Sequence, residues 1–339
     1  MLPTAWFIVL AFMLTGYAVL DGFDLGVGAL HLYIGREKGR EMAINAIGPV
    51  WNGNEVWLLA AGGAMVAAFP HLYAAAFSGF YLALMLVLWL LVLRGLSIEF
   101  RHQVDNPLWR DAWDVVFFGA SLLLAVLFGA AVGNVLRGVP LDAEGNFVGS
   151  FALVLNPFAL LCAVLSVVTL SLHGAAYLAM KTSDEVQARA RRAVLPLWVL
   201  ALVLLAAVVA SSFVVQPGFT ANFTKWPWLN VVPLLGIAAA VAVPWFHRRG
   251  QDTRVFLSTA TLIIGTLGSA AAGLYPRLLP ALAGSPHASL DIYNTSSSPT
   301  AQSIALTIYL VGMAIVIVYL VHAYRVWRGK VGEEHLYQV

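Results

Sequence analysis

Residues 56–93 read VWLLAAGGAMVAAFPHLYAAAFSGFYLALMLVLWLLVL, a run of 38 positions without one Asp, Glu, Lys or Arg. A bilayer core takes about 20 apolar residues as helix, at ~1.5 Å rise each, so the run is too long for one crossing and suits two. Phe69-Pro70-His71 supplies the break, because proline disfavours helical backbone at the residue before it. The split leaves only 14 residues from Val56 to Phe69. That is too short to span, unless the helix starts earlier and takes Trp51, Asn52, Asn54 and Glu55 in with it. A carboxylate is thereby expected at membrane depth.

Working outward, the same demand finds nine spans, at approximately 5–33, 47–69, 73–94, 112–136, 152–180, 194–215, 228–246, 255–275 and 302–327. Composition agrees: of 339 residues 60% are hydrophobic and 11% charged, with a mean hydropathy of +0.83, against roughly a quarter charged in soluble domains. Helices are required because lipid offers no partner to an unpaired backbone group. The expectation is an all-α integral membrane protein, one membrane domain over 1–339, with no nucleic-acid partner. MLPTAWFIVL lacks a basic n-region and is expected to be a retained first helix. The longest loops, about 95–111, 137–151 and 276–301, are too short to hide a soluble domain.

Orientation follows from the cations. Sixteen of the 19 Lys and Arg residues fall after the first, third, fifth and seventh spans or in the carboxyl tail, from Arg36, Lys38 and Arg40 through Arg94 and Arg101 to Arg325, Arg328 and Lys330. Only Arg137, Lys225 and Arg277 fall on the other side. The positive-inside rule then places the amino terminus outside and the carboxyl terminus in the cytoplasm.

The chemistry sits in the first two spans. DGFDLGVG puts Asp21 and Asp24 three residues apart on one helical face, where two ionised carboxylates would be costly. Such a pair can hold and release a proton, as a relay requires; otherwise it is a structural pair with Arg36 or a neighbouring helix. In GPVWNGNEVW, Asn52 and Glu55 form an i,i+3 pair flanked by Trp51 and Trp57, and Glu55 is either a proton carrier or a satisfied buried acid. Gly22, Gly26 and the Gly62-Gly63-Ala64 step read as close helix crossings.

His173, in SLHGAAYLAMKT, is the one histidine expected at depth; His31, His71, His102, His247, His287, His322 and His335 fall at span ends or in loops. It reads as a haem ligand, a proton-path or quinone contact, or an interhelical hydrogen bond. Cys162 stands alone in an apolar run, where it packs. No P-loop, dinucleotide fingerprint, metalloprotease helix or CxxCH is present, so soluble-cofactor enzymology is excluded.

GYAVLDGFDLGVG, PVWNGNEVWL with its AAGGA continuation, FPHLYAAAFSGFY, LRGLSIEFR and HGAAYLAMKT, in this order, resemble subunit II of bacterial cytochrome bd-type quinol oxidases, including the cyanide-insensitive branch. The resemblance runs through the whole chain and is densest over 16–101. It implies a heterodimer with subunit I in the bacterial cytoplasmic membrane, with small accessory subunits possible in principle, that oxidises a membrane quinol and reduces dioxygen to water. Subunit I of that family carries two b-type haems and a d-type or substituting b-type haem. Subunit II is expected to hold no haem or metal of its own. It has two four-helix bundles, here the approximate halves 1–136 and 152–275, plus a ninth helix at 302–327. It supports subunit I and contributes a proton path from the cytoplasm.

By position, Asp24 matches the family's first-helix acid and Trp51–Trp57 its second-helix proton-path segment. Some members carry aspartate where this chain has Asn52, and an amide cannot exchange a proton as a carboxyl does. Either Glu55, one turn on, replaces it, or the path runs through Asp24 and Asp21 alone. Two other readings fit buried acids: a proton-coupled secondary transporter, which calls for broken helices at the midplane, and a purely structural partner subunit whose acids only form ion pairs.

Overall fold

A computed structural model describes residues 1–331; His335 lies outside them. The protein is all-α apart from one two-stranded ribbon. In chain order the helices are α1 (Leu2–Ile34), α2 (Glu37–Ile47), α3 (Trp51–Ala68), α4 (Pro70–Gly79), α5 (Tyr81–Phe100), α6 (Pro107–Arg137), α7 (Phe151–Val154), α8 (Pro157–Lys181), α9 (Asp184–Val215), α10 (Ala221–Lys225), α11 (Val231–Arg248), α12 (Asp252–Leu274) and α13 (Pro299–Val326). The strands β1 (Arg277–Leu279) and β2 (Leu290–Asp291) pair antiparallel.

Eight helices among the described residues are long and apolar enough to cross a membrane. α3 is not one of them: its 18 residues open on Asn52, Asn54 and Glu55, which lower its apolarity. Several boundaries differ from the sequence expectation. The second span does not start at 47, because α2 is a separate short helix that ends at Ile47 and α3 starts only at Trp51. The third runs on to Phe100, so Arg94 lies inside α5 and not in a loop. The fourth starts at Pro107, with Asn106 capping it by accepting from the Leu108 N–H, and the sixth starts at Asp184, so Arg189, Arg191 and Arg192 are helical. α7 ends at Val154, and Asn156 caps α8 by accepting from the Ala159 N–H, so the fifth span starts at 157 and not at 152.

α1 is the central element and packs on α3, α6, α8 and α12. Its contact with α8 is a backbone approach: a Cβ on Gly26 would land on the Leu170 carbonyl, and one on Gly174 would land on the backbone of Gly26 and Val27. Close crossings of this kind draw on van der Waals contact between backbones. A Cβ on Gly62 or Gly63, by contrast, would meet nothing within 4 Å, so the approach expected there does not occur among the described residues. Gly174→Val is therefore expected to separate α1 from α8 and cost about 1–3 kcal/mol or more as an overpacked contact. Thermal inactivation of the assembled protein measures it.

Two apolar clusters cap the bundle. At one end Ile34, Ile44, Ile47, Tyr177 and Val186 come together, with Tyr324 packed against them. At the other, Trp6, Phe69, Leu141, Phe147 and Leu290 do so. Lys181 Nζ donates to the Trp327 and Gly329 carbonyls (2.6 and 2.9 Å), tying the end of α13 to the end of α8.

Candidate functional site

Between α1, α3, α5 and α13 lies a sealed set of polar side chains. Asp21, Asp24, Asn54 and Arg94 are each 0–1% exposed. The i,i+3 spacing places Asp21 and Asp24 on one face of α1, as expected from the sequence. Arg94, from α5, brings Nη1 to 2.8 Å from Asp21 Oδ1 and Nη2 to 3.7 Å from Glu55 Oε2. Asn54 Nδ2 donates to Asp24 Oδ2 at 2.8 Å, and the Tyr324 hydroxyl donates to Asn54 Oδ1 at 3.0 Å. Asp24 Oδ1 and the indole N–H of Trp57 have no hydrogen-bond partner among the described residues.

The set gathers three carboxyl groups around one guanidinium. In a low-dielectric bundle one cation offsets one carboxylate, so this set holds more acids than its single guanidinium can pair. Glu55 differs from the two aspartates in reach: 19% of its side chain is exposed on the chain's surface, whereas Asp21 is fully enclosed. The arrangement thus has a closed end at Asp21 and Asp24 and an accessible end at Glu55.

Asn52 is not part of it. Two positions on a helix are turned about 200° apart, so Asn52 and Asn54 point in nearly opposite directions. Asn54 is buried against Asp24, and Asn52 is exposed with no side-chain hydrogen bond among the described residues. Trp57 is buried against Met13 and Tyr17 beside the acids, and Trp51 is half-buried against Gly95. The three residues that sequence reasoning missed as members of the site are Asn54, Arg94 and Tyr324. Arg94 was legible in principle, since buried acids demand a cation and it is the first one after the long uncharged run. Tyr324 had no signal, because it is distant in sequence and meets Asn54 only through the fold.

A second polar set lies nearer the Ile34 end of α1. Asp114 of α6 is 1% exposed and receives His31 Nε2 at 2.7 Å, Arg101 Nε at 2.7 Å and Arg40 Nη1 at 3.2 Å. Asp111 takes a further bond from Arg40 at 3.0 Å. His31 is fully buried, which corrects the expectation that His173 alone would lie at depth. The cause is α2, whose start folds Arg40 back over the end of α1.

His173 is buried with both ring nitrogens engaged. Nδ1 meets Thr259 Oγ1 at 2.7 Å, Nε2 meets the Val19 carbonyl at 3.0 Å, and the ring stacks on Phe256. Of the readings open to it, the interhelical hydrogen bond is the one the geometry realises.

Fold and site together define an all-α, multi-pass membrane protein whose ionisable groups are collected into closed clusters around its first helix. The chain belongs to the cytochrome bd terminal oxidase subunit II family, whose model matches residues 2–327. It is 38% identical to a probable cytochrome oxidase subunit 2 of Haemophilus influenzae, over 95% of this chain and 92% of that one. It is 32% identical to the cytochrome bd-I ubiquinol oxidase subunit 2 of Escherichia coli K12, over 98% and 95%. It is 31% identical to the cytochrome bd ubiquinol oxidase subunit 2 of Bacillus subtilis, over 97% and 96%. Its fold matches a chain of the bd oxidase from Geobacillus thermodenitrificans with a TM-score of 0.78 at 16% identity, covering 96% and 98% of the two chains.

A cytochrome family implies haem in the complex. Of the two histidines buried among the described residues, His173 has both ring nitrogens committed to Thr259 and Val19, and His31 has Nε2 bound to Asp114.

Proposed function

We propose that this chain is the haem-poor subunit of a terminal quinol:oxygen oxidoreductase in the bacterial cytoplasmic membrane, supporting a haem-carrying subunit I and delivering protons from the cytoplasmic side. The observation that carries the proton role is the set of three acids around Arg94, closed at Asp21 and Asp24 and open at Glu55. Reduction of dioxygen to water consumes protons, and groups that bind and release one without leaving an isolated buried charge are what a low-dielectric path needs. Glu55, Asp24 and Asp21 are the carriers in this reading, Asn54 and Tyr324 hold Asp24 in place, and Arg94 limits the net charge.

Glu55 and Asn52 reach the surface of α3 among lipid-length helices, where contact with acyl chains would be unfavourable. That face is therefore assigned to subunit I. Asn52 then sits at the junction between the subunits rather than inside the path of this one. Haem, b-type and d-type or a substituting b-type, belongs to subunit I in this reading, and quinol is the electron donor of the complex. The halves 1–136 and 152–275 are the two bundles, with 302–327 as the added helix.

Nine crossings follow if α3, bounded by Val50 and Phe69 as a helix of its own, is counted with the eight apolar helices. The amino terminus then lies outside and Lys330 in the cytoplasm. A carboxyl-terminal reporter fusion should be active only as a cytoplasmic enzyme; activity in the periplasm alone would remove the ninth crossing.

Copurification with a partner tests the function itself. The two-subunit complex should show Soret absorbance and quinol-driven oxygen consumption, while the chain purified by itself shows no stoichiometric Soret band. A band retained by the isolated chain and lost in His173→Ala would assign haem to this subunit instead.

A further inference from the structure

α11 packs along its length on α12 and meets α9 much more sparsely. Between α9 and α11 an open groove of about 610 Å³ remains, walled by Trp198, Val241, Pro244 and Trp245 and bounded by Arg248 and Arg249. Its floor is fixed by a specific bond. Pro244 lacks the N–H that would serve the Ala240 carbonyl in the helix, and Trp198 Nε1 donates to that carbonyl at 2.8 Å across the groove.

The walls are apolar and open: Val241 is 66% and Trp245 56% exposed. The two arginines are exposed, and among the described residues neither enters an ion pair. The Arg249 guanidinium lies over the Trp245 ring with its centre 4.4 Å from the ring centroid, so the charge is held at the edge of the apolar wall. Arg191, at the start of α9, is by contrast committed to Asp252 at 2.6 Å.

From this juxtaposition we infer that the α9–α11 groove binds an anionic diacyl phospholipid. An acyl chain lies along Trp198, Val241 and Trp245, and the headgroup phosphate meets Arg248 and Arg249. A continuous apolar wall ending in two uncommitted cations matches an amphiphile with a negative head. Basic pockets between helices at the cytoplasmic membrane surface, the side to which the charge asymmetry assigns these arginines, recognise anionic lipids in this way. The inference depends on the membrane setting and not on the proton path.

The purified complex in nanodiscs tests it. Phosphatidylglycerol with brominated acyl chains should quench tryptophan fluorescence more strongly than brominated phosphatidylcholine at equal content. Trp245→Phe should reduce that difference, leaving the part contributed by Trp198. Native mass spectrometry of the detergent-purified complex should find phosphatidylglycerol retained. In R248A/R249A its apparent affinity should fall about 25-fold, as the loss of two surface cations worth about fivefold each. R248K/R249K, which keeps both charges, should remain near the parent and shows that the fold is intact. Inorganic phosphate at millimolar concentration should not displace the lipid. Equal quenching by the two lipids, or unchanged retention in R248A/R249A, would overturn the inference and leave an ordinary lipid-facing groove. Displacement by phosphate alone would also overturn it, since the site would then recognise only an anion.

Discussion

Arg94→Met is expected to prevent assembly of the complex. The guanidinium is fully enclosed and is the only cation within ion-pair reach of Asp21 and Glu55 among the described residues. Methionine fills similar space and leaves Asp21 without its partner, and removing one member of a buried pair costs roughly 3–5 kcal/mol. Against the stability of a typical domain, about 5–15 kcal/mol, that is a large fraction. The yield of chain recovered with its partner measures the effect. Arg94→Met combined with Asp21→Leu removes both charges, and assembly should largely return, because replacing a whole buried pair by apolar groups is often near neutral. Normal assembly of the single variant would show that Asp21 does not depend on Arg94. Recovered assembly with recovered oxygen consumption in the double variant would reduce Asp21 to a structural role.

The acids were legible in the sequence because length fixed them. Val56–Phe69 could not span without drawing Glu55 inward, and Asp21 with Asp24 lay within a 33-residue apolar helix. What periodicity could not supply was the partner on another helix. Arg94 follows directly on Leu93, so hydropathy ends the span there, whereas the helix continues through Gly95 and Ser97 to Phe100. Counting it among the loop cations helped the charge asymmetry and hid its role. Helical extensions account for the same kind of difference at Arg189, Arg191 and Arg192. These cations lie in the first turns of α9, and no hydropathy boundary separates such a helix end from a loop.

The asparagines show the limit of motif reading. Asn52 and Asn54 are two residues apart in one motif, and only the rotation of the helix decides which one faces α1. His31 was hidden by a different cause: its burial depends on Arg40 and Arg101, which reach Asp114 from α2 and from the turn after α5. Glycine pairs split likewise. Gly26 meets Gly174 in a crossing, while Gly62 and Gly63 face open space among the described residues.

The proton path makes a demand that a structural cluster does not. Asp24→Asn and Glu55→Gln keep shape and hydrogen-bonding capacity and remove titration. Neither change strands a cation, since Arg94 keeps Asp21 at 2.8 Å. Assembly and haem content should therefore hold. Positioned proton transfer contributes about 10²–10⁴-fold to a rate, so turnover should fall by about a hundredfold where the step becomes limiting. The decisive measurement is quinol-driven oxygen consumption by the assembled Asp24→Asn, Glu55→Gln double variant, normalised to its haem absorbance. The account expects a normal haem spectrum with oxygen consumption reduced by about a hundredfold. Near-normal consumption per haem would contradict it and leave the acids around Arg94 as ion-pair scaffolding alone.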